Sequence, residues 1–467
     1  MKKKKLLSII LAATMIVGLL AGCGNTDGGD SQSGNSDPSP QQTNAPDNSS
    51  QGGDNSEANE PTNAVDEAKG LLNIDELDDP NVTIILYWDP KPYEQAAIDN
   101  YEAKYGAGTV TVVVSGWNKA IEKINEGIAA GDVPSLAFTE GNACFPKYAV
   151  DNYFQPITQY IQDDLGSELM DESAMKNFLY KDEYYVFTSS YLTQPYLIAY
   201  YKPLFDDNGL ETPTELYAKG QWTWDKFIEY CDLLTQDTDG DGAIDQWGLG
   251  PRYKLQNFAY ASGIVGIEET GNGTLASHWD DKGMLDYFDF VTKLETIQAR
   301  SKDADGNVVN DGWLGAGAMY MEAISGELAL ADDEGNILGN NPDMGLITIP
   351  TLDGSAASTP VWDYGYAIPT GAANPQAGAV LGAMILEARK DIQLSEYQSY
   401  MRQDELDVYY GAMENIIPQR KNNNIYEGVT MSYGESEAKE GTPAATIIET
   451  YKSVVEGEIA AYNASLQ

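Results

Sequence analysis

The chain has 467 residues, and its 28 Lys and Arg against 72 Asp and Glu give a formal net charge of −44. This balance argues against nucleic acid as a partner, because phosphate binding needs clustered basic residues. Hydrophobic residues make up 42% of the chain, which is enough to build cores and excludes wholesale disorder. The single histidine, His278, excludes mechanisms that need two imidazoles, and 30 Tyr against 10 Phe indicate amphipathic surfaces.

The N-terminus is typical of an exported lipoprotein. A positive segment, Lys2 to Lys5, precedes an apolar run from Leu6 to Leu20 that is shorter than the ~20 residues of a membrane span. Small residues precede Cys23, which resembles the lipobox of bacterial lipoproteins, whose cysteine is acylated. We therefore predict a signal peptide over residues 1–22, a lipid such as palmitate on Cys23, and anchoring on the extracellular face of the cell membrane. An ordinary secretory signal with an incidental cysteine is the alternative.

Residues 23–66 are predicted to form a flexible tether after the lipidated cysteine. Their composition is dominated by Gly, Ser, Asn, Asp, Gln, Pro and Thr, so they have few apolar groups to offset the entropy of ordering. Removal of the signal takes away four Lys and no acid, which deepens the net charge to −48. Beyond Cys23 only Cys144 and Cys231 remain. The sequence is compatible either with a disulfide between them or with two free buried thiols.

From residue 80 onward the hydrophobic periodicity alternates between strand and helix types, which predicts an α/β fold. The predicted elements are a strand at Val82–Trp88, a helix at Tyr93–Tyr105, a strand at Val110–Val114, a helix at Ala120–Ala130 and a strand at Ser135–Phe138. This βαβαβ order builds a parallel sheet whose ligand crevice lies at the carboxyl ends of its strands.

Four residues lie at or just after the ends of these strands and are therefore predicted to bind a ligand: Trp88, Trp117, Thr139 and Glu140. For either Trp, packing in a core or at its rim is an equally good interpretation. Acidic residues in so acidic a chain are usually solvated surface, so Glu140 has a similar alternative.

The α/β pattern continues through the second half of the chain. Thr223 is predicted to cap a helix whose apolar face runs from Lys226 to Leu234. Further strands are predicted at Gly315–Glu322, Asp343–Pro350 and Val361–Pro369, followed by a helix from Asn374 to about Arg389.

Residues 237–248 have the spacing of the first three quarters of an EF-type calcium loop. Oxygen-bearing side chains at alternate positions point inward in such a loop, and a hard cation takes six to eight oxygens. The predicted ligands are Asp237, Asp239, Asp241, Ala243 and Asp245. Glycine stands at the twelfth position, where a bidentate Glu is usual, so the alternative to a structural Ca²⁺ site is a solvated acidic turn.

Together these landmarks resemble the family 1 extracellular solute-binding proteins, the sugar-binding lipoproteins of ATP-binding-cassette importers. The matching stretches are Ile84–Asp89, Ile128–Ser135, Leu197–Phe205, Asn208–Leu210, Trp222–Asp225, Gln246–Gly248 and Tyr364–Pro369. Each stretch is short, but their order and spacing extend over residues 80–465. The resemblance implies an α/β, periplasmic-binding-protein-like fold, in which two α/β lobes are joined by crossing hinge segments around a ligand cleft. The first lobe would comprise residues 80–193 plus 350–405, and the second 194–349 plus 406–467.

The resemblance also implies which residues contact the solute in the second half of the chain. Gln194 and Tyr196 belong to the first crossing segment, and Tyr253 takes the place of an aromatic stacking residue. Tyr320 and Glu322 lie where their segment would reach the cleft.

The segment Trp362–Tyr364 departs from the family, whose members often show Gly-Gly-Trp there. The departure keeps an aromatic residue and adds the carboxylate of Asp363, a difference that bears on the sugar accepted. A pyranose stacks its apolar face on Trp or Tyr, and its hydroxyls need paired donors and acceptors. Asn142, Glu140 and Asp363 would supply such partners.

The sequence therefore predicts a monomeric substrate-binding lipoprotein without catalytic activity. The predicted ligand is a carbohydrate, with an oligosaccharide favoured. The protein would bind it by lobe closure and deliver it to the membrane permease of an importer. One alternative keeps the fold but binds a peptide, a polyamine or another cationic solute. A second is a secreted glycosidase, although 72 acidic residues make some close pair of carboxylates inevitable and so do not favour an enzyme.

Overall fold

The structure is a computed structural model that describes residues 70–117, 119–141, 145–250, 253–270, 273–301, 317–324, 341–355, 358–418 and 427–466. These residues belong to one compact unit, Val65–Gln467. Within these ranges no helix is both long enough and apolar enough to cross a bilayer. The predictions for the signal peptide, Cys23, the tether, Asn142 and Cys144 lie outside the described residues.

Strands and helices alternate along the described chain, as the periodicity predicts. The strands, in chain order, are β1 (Val82–Leu86), β2 (Val110–Val114), β3 (Leu136–Glu140), β4 (Leu179–Tyr180), β5 (Glu183–Tyr184), β6 (Val186–Phe187), β7 (Gln194–Tyr201), β8 (Trp247–Leu249), β9 (Ile267–Thr270), β10 (Thr274–Ser277), β11 (Gly317–Ala323), β12 (Met344–Thr348), β13 (Thr359–Trp362), β14 (Tyr364–Ala367) and β15 (Ile416–Pro418). The helices, in chain order, are α1 (Pro92–Tyr105), α2 (Ala120–Ala130), α3 (Lys147–Val150), α4 (Thr158–Ile161), α5 (Glu172–Met175), α6 (Lys202–Asp207), α7 (Pro213–Ala218), α8 (Trp224–Leu233), α9 (Gln256–Ala261), α10 (Lys282–Gln298), α11 (Pro375–Tyr400), α12 (Gln403–Met413), α13 (Glu427–Lys439) and α14 (Ala444–Ser465).

The first sheet has the strand order β2-β1-β3-β14-β6. Strand β1 pairs in parallel with β2 and with β3, so the predicted parallel βαβαβ unit is confirmed. The other side of the sheet is antiparallel, because β14 runs against both β3 and β6. Helices α1 and α11 pack against each other, and α11 also contacts β1, β3 and β6. The core beneath this sheet contains the fully buried side chains of Ile84, Phe138 and Tyr366.

The second sheet has the order β15-β13-β7-β11-β8, with β12 also paired to β7. Side chains alternate between the two faces of β7, as the pleat requires. Tyr196, Ile198 and Tyr200 enter one core, whereas Leu197 and Ala199 enter a separate cluster on the opposite face. Both faces of this central strand are therefore covered. The α/β fold class is confirmed, and the exact residue boundaries of the two lobes stay a prediction.

Among the described strands the chain passes between the two sheets at three places, the last being the return from β14 to β15 through α11 and α12. Strand β6 belongs to the first sheet and β7 to the second, and β13 belongs to the second sheet and β14 to the first. The prediction of one continuous strand at Val361–Pro369 was therefore wrong, because the chain changes sheets at Asp363. The side chains on both sides of Asp363 alternate in a way that is compatible with either sheet. Local periodicity therefore does not predict that the chain changes its partner strands there.

Several element ends differ slightly from the sequence-based boundaries. Strand β1 ends at Leu86 rather than Trp88, and β3 extends through Thr139 to Glu140, so these two residues form the end of the strand instead of following it. Helix α11 continues to Tyr400, beyond the predicted end near Arg389.

The predicted cap of helix α8 is confirmed. Its N-cap residue, Thr223, accepts a hydrogen bond at Oγ1 from the backbone N–H of Lys226 at 3.2 Å. Cys231, on the same helix, is a buried free thiol, and burial raises its pKa well above the ordinary value. The structure therefore favours a structural role for this cysteine over reactivity.

Candidate functional site

Four aromatic rings form a continuous series where the two sheets meet. The ring centroids of Trp88 and Trp117 lie 6.0 Å apart, those of Trp117 and Trp362 lie 6.3 Å apart, and those of Trp362 and Tyr364 lie 5.1 Å apart. We call these four residues the aromatic ladder. Trp117 is 54% exposed, and Trp88 and Trp362 are half-buried, so ring faces remain available to a ligand. The structure thus brings together four of the residues predicted to contact a solute.

The strand topology explains why the ladder assembles. Trp88 follows β1 and Trp117 follows β2, and the carboxyl ends of parallel strands share one edge of a sheet. Trp362 ends β13 and Tyr364 begins β14, so the second crossing places both rings at the same edge.

Two buried rings support the ladder from below. The centroid of Phe138 lies 4.8 Å from those of both Tyr87 and Trp88, and 5.4 Å from that of Tyr364. Tyr87 also meets Trp117 edge to face at 5.5 Å. Sequence analysis did not identify Tyr87 or Phe138 as part of the site, because both lie in apolar runs that indicate only a core.

Carboxylates approach the ladder from β3 and from the second crossing. Glu140 is paired with Tyr364 across β3 and β14, and it is 3% exposed. The backbone N–H of Gly141 donates to the carbonyl of Asp363 at 2.9 Å. A Cβ at Gly141 would lie only 2.3 Å from Oδ1 of Asp363, so the approach of the two segments requires glycine there.

Gln194 connects the first crossing to the ladder. It is the first residue of β7, it is paired with Trp362 of β13, and its Nε2 donates to the hydroxyl of Tyr364 at 3.3 Å. Its side chain is buried, and its Oε1 has no hydrogen-bond partner in the described part of the chain. The adjacent predicted residue Thr139 is also buried, at the end of β3.

A lysine that the sequence analysis missed lies beside Tyr196. Lys254 Nζ donates to the Tyr196 hydroxyl at 2.5 Å and lies 4.8 Å from the centroid of its ring. Burial raises the pKa of Tyr196, and the negative charges of Glu322, Glu140 and Asp363 raise it further. A lone lysine in a polar segment carries no sequence pattern that separates it from surface lysines.

The two tyrosines predicted from the second half of the chain are turned toward cores. Tyr253 is half-buried, and its hydroxyl donates to Oε1 of Glu295 at 2.7 Å. Tyr320 is 3% exposed and lies in the cluster on the face of β7 opposite Tyr196. Neither ring belongs to the aromatic ladder.

The acidic loop brings three of its carboxylates together. One oxygen each from Asp237, Asp239 and Asp245 lies within 4.8 Å of the others. The fourth, Asp241, accepts a hydrogen bond from the backbone N–H of Ala243 at 2.8 Å and is not part of this group. Hard oxygen donors at this separation fit a Ca²⁺ ion, although fewer side chains converge than the sequence spacing predicts.

The family model described as "Bacterial extracellular solute-binding protein" matches residues 87–389 of the chain. The protein therefore belongs to the bacterial extracellular solute-binding proteins, and the resemblance predicted from its sequence is confirmed. No curated protein matches the chain.

Solved structures of bound solute-binding proteins share the fold. An ABC substrate-binding protein from Listeria monocytogenes in complex with cycloalternan matches with a TM-score of 0.59 and 15% identity, over 81% of this chain and 99% of that chain. The cyclic alpha-maltosyl-1,6-maltose binding protein from Arthrobacter globiformis matches with a TM-score of 0.60 and 14% identity, over 81% and 98%. UgpB from Mycobacterium tuberculosis in complex with glycerophosphocholine matches with a TM-score of 0.61 and 14% identity, over 82% and 99%. The predicted periplasmic-binding-protein-like fold of two lobes is confirmed.

Proposed function

We propose that this protein is the substrate-binding lipoprotein of an ATP-binding-cassette importer and that it carries an oligosaccharide to the membrane permease. The observation that carries the proposal is the aromatic ladder, which extends over four rings beside buried carboxylates and Gln194. The ligands named for two of the structural neighbours, cycloalternan and cyclic maltosyl-maltose, are consistent with it.

The chemistry of the ladder suits a sugar chain. Each pyranose has an apolar face that stacks on an aromatic ring, and its hydroxyls form hydrogen bonds with carboxylate and amide groups at the edge. Trp88, Trp117 and Trp362 keep exposed area and follow one another at 6.0 and 6.3 Å, so the ladder offers more than one stacking position, whereas Tyr364 at its end is buried. Closure of the lobes would exclude water from these hydrogen bonds and present one closed form of the monomer to the permease.

The test is a thermal-shift screen of the protein lacking residues 1–22 against neutral oligosaccharides, peptides and polyamines, with isothermal titration of each hit. A ligand at 100 times its dissociation constant should stabilise the protein by ~2.7 kcal/mol. We expect neutral oligosaccharides to raise the melting temperature and Trp362→Ala to abolish the shift. A protein stabilised by peptides or polyamines and by no sugar would refute the carbohydrate assignment.

A cationic solute is the second candidate, because Glu140, Glu322 and Asp363 concentrate negative charge around Tyr196. The same screen separates the two candidates. Incubation with a labelled oligosaccharide addresses the enzyme alternative, since hydrolysis of the label would contradict a role limited to binding.

We further propose that the mature protein is held at the cell surface by a lipid on Cys23. The support is the lipobox-like sequence before this cysteine and the extracellular character of the family. The full chain should fractionate with membranes, and Cys23→Ser should release it into the medium. A variant that stays in the membrane fraction would contradict lipid anchoring at this residue.

We propose that the loop of Asp237, Asp239 and Asp245 holds a structural Ca²⁺, with Asp241 and the Ala243 carbonyl completing the set. The support is the convergence of three carboxylates within 4.8 Å. Removing calcium with EDTA should lower the melting temperature, and Asp237→Asn should lower it to the same value and remove the response to EDTA. The matched control is Asp353→Asn in another exposed turn. An unmoved melting curve in EDTA would count against the site.

A further inference from the structure

A cavity of about 550 Å³ lies away from the aromatic ladder, between helices α7 and α12 and the end of β12. Its volume falls within the ~300–1,000 Å³ of typical small-molecule sites. None of the described residues that line it belongs to the ladder. Thr359, at the cavity wall, begins β13 and is three positions from Trp362, a separation of ~10 Å along a strand. The cavity is therefore a separate compartment from the solute site.

The cavity wall contains two buried polar residues, Thr351 and Thr359, and Thr351 is the one that lacks a hydrogen-bond partner at Oγ1 within the described chain. Thr351 is 5% exposed. A buried hydroxyl without a partner is unfavourable, so a polar ligand group in the cavity gains by meeting it. The neighbouring backbone is well held, because the carbonyl of Thr351 accepts from the N–H of Trp224 at 2.9 Å.

Aromatic rings and acidic groups complete the wall. Tyr217 of α7 is 41% exposed, which leaves its ring available for stacking. Trp222 is buried, and its indole N–H donates to the carbonyl of Thr348 at 2.9 Å, so this ring is fixed in place. Asp407 and Glu414 are exposed at the cavity, and the described lining contains no Lys or Arg. The two carboxylates therefore disfavour an anionic ligand here.

We propose that this cavity is a second ligand site for a small neutral polyol, of the size of a monosaccharide or disaccharide. The Tyr217 ring stacks on the apolar face of the sugar, the Thr351 hydroxyl bonds to a sugar hydroxyl, and Asp407 and Glu414 accept hydrogen bonds from others. The same carboxylates exclude acidic sugars. This site goes beyond the transported solute of the ladder and does not depend on it.

Gly411 provides a way to fill the cavity without strain. It lies on α12 and lines the cavity, and a Cβ built on it meets no atom within 4 Å. Gly411→Trp therefore occupies the cavity with an indole ring. Gly457→Trp is the matched control, because Gly457 is also helical with open space at its Cβ but lies on α14 outside the cavity lining. Thr351→Val keeps the shape of the side chain and removes its hydroxyl.

The experiment uses the protein lacking residues 1–22 with Trp117→Ala, which weakens binding at the ladder, and measures saturation-transfer NMR and dissociation constants for D-glucose, D-glucosamine and D-glucuronate. We expect D-glucose and D-glucosamine to bind and D-glucuronate to bind at least fivefold more weakly. Gly411→Trp should weaken D-glucose at least tenfold and Gly457→Trp should leave it unchanged. Thr351→Val should weaken it about fivefold, the effect of one lost hydrogen bond.

Three results would overturn the proposal. They are the absence of D-glucose binding in the Trp117→Ala protein, equal binding by Gly411→Trp and Gly457→Trp, and D-glucuronate binding as tight as that of D-glucose. Melting temperatures of the variants, measured in parallel, separate loss of the site from loss of the fold. Failure of the proposed importer function gives a different pattern, because it removes oligosaccharide binding from the unmodified protein and leaves the Gly411-dependent signal.

Discussion

Aromatic side chains near the two sheets differ in their exposure. At the first sheet, Trp88 and Trp117 follow parallel strands and reach the shared edge, where Trp117 is 54% exposed. At the second sheet, Tyr320 lies within a strand and is 3% exposed, and Tyr253 bonds to Glu295 beside a core. For these residues, the rings that follow strand ends keep exposed area at the sheet edge, whereas Tyr320, within a strand, is buried. Near the second sheet, Lys254 and Glu322 provide charged groups close to the site, while the first sheet supplies most of the apolar surface.

The largest expected effect is the loss of stability when a buried ring is removed from the core beneath either sheet, and a second measurement, oligosaccharide affinity, distinguishes the two cores. Phe138→Ala and Phe258→Ala each remove a fully buried ring, and each should cost about 3–5 kcal/mol of the free energy of unfolding. Only Phe138 supports the ladder, through contacts at 4.8 Å with Tyr87 and Trp88. Urea unfolding should give similar losses of stability, and titration calorimetry should show weaker oligosaccharide binding for Phe138→Ala alone. Equal losses of affinity would contradict the division of roles.

A pH effect is expected from the second core, in addition to that of Glu94 beside Tyr366 in the first core, whose pKa burial also raises. The Tyr287 hydroxyl donates to Oε1 of Glu435 at 2.7 Å, and burial raises the pKa of Glu435 to about 7. The folded protein then holds this proton more tightly than the unfolded chain, so stability is greatest below about pH 4.5 and falls, by roughly 2–3 kcal/mol, as the pH rises to about 7. Thermal unfolding across this range should show the slope, and Glu435→Gln should make it shallower, leaving the contribution of Glu94.

The matched control for the pH effect is Glu440→Gln, at an exposed residue just beyond α13. It should keep the slope of the unmodified protein. A slope unchanged by Glu435→Gln would mean that other groups account for it, and Glu435 would no longer distinguish the two cores.

Trp117→Ala tests the exposed ring of the ladder. Because Trp117 is 54% exposed, its removal should change the free energy of unfolding by less than about 0.5 kcal/mol. Affinity for the oligosaccharide should fall about tenfold, since a stacking surface is lost. Tyr433→Ala removes another exposed ring, 52% exposed on α13, and should leave affinity unchanged. Similar affinities in the two variants would disprove stacking on Trp117.

The smallest effect concerns the charge near the second sheet. Lys254→Met keeps the length of the side chain but removes the donor to the Tyr196 hydroxyl, and it should weaken binding about three- to fivefold. Lys293→Met, at a lysine with 60% of its side chain exposed, is the control and should have no effect on the dissociation constant. An unchanged constant for Lys254→Met would limit the solute site to the first sheet and the crossings.

Residue order and spacing determined much of this protein. The βαβαβ unit, the Thr223 cap and the family follow from local periodicity and short motifs, because those features depend on neighbours a few residues apart. The composition, with 72 acidic residues and 30 Tyr, indicates the kinds of contact but not their location.

Tertiary structure alone decided which of these residues meet. The strand break at Asp363, the pairing of Lys254 with Tyr196 and the burial of Tyr320 depend on partners more than 30 residues away along the chain. Strand periodicity specifies only which faces of a strand are alike, and a change of partner sheet leaves that alternation intact. The ladder itself depends on three separated segments that meet at one edge, a contact that no single stretch of sequence contains.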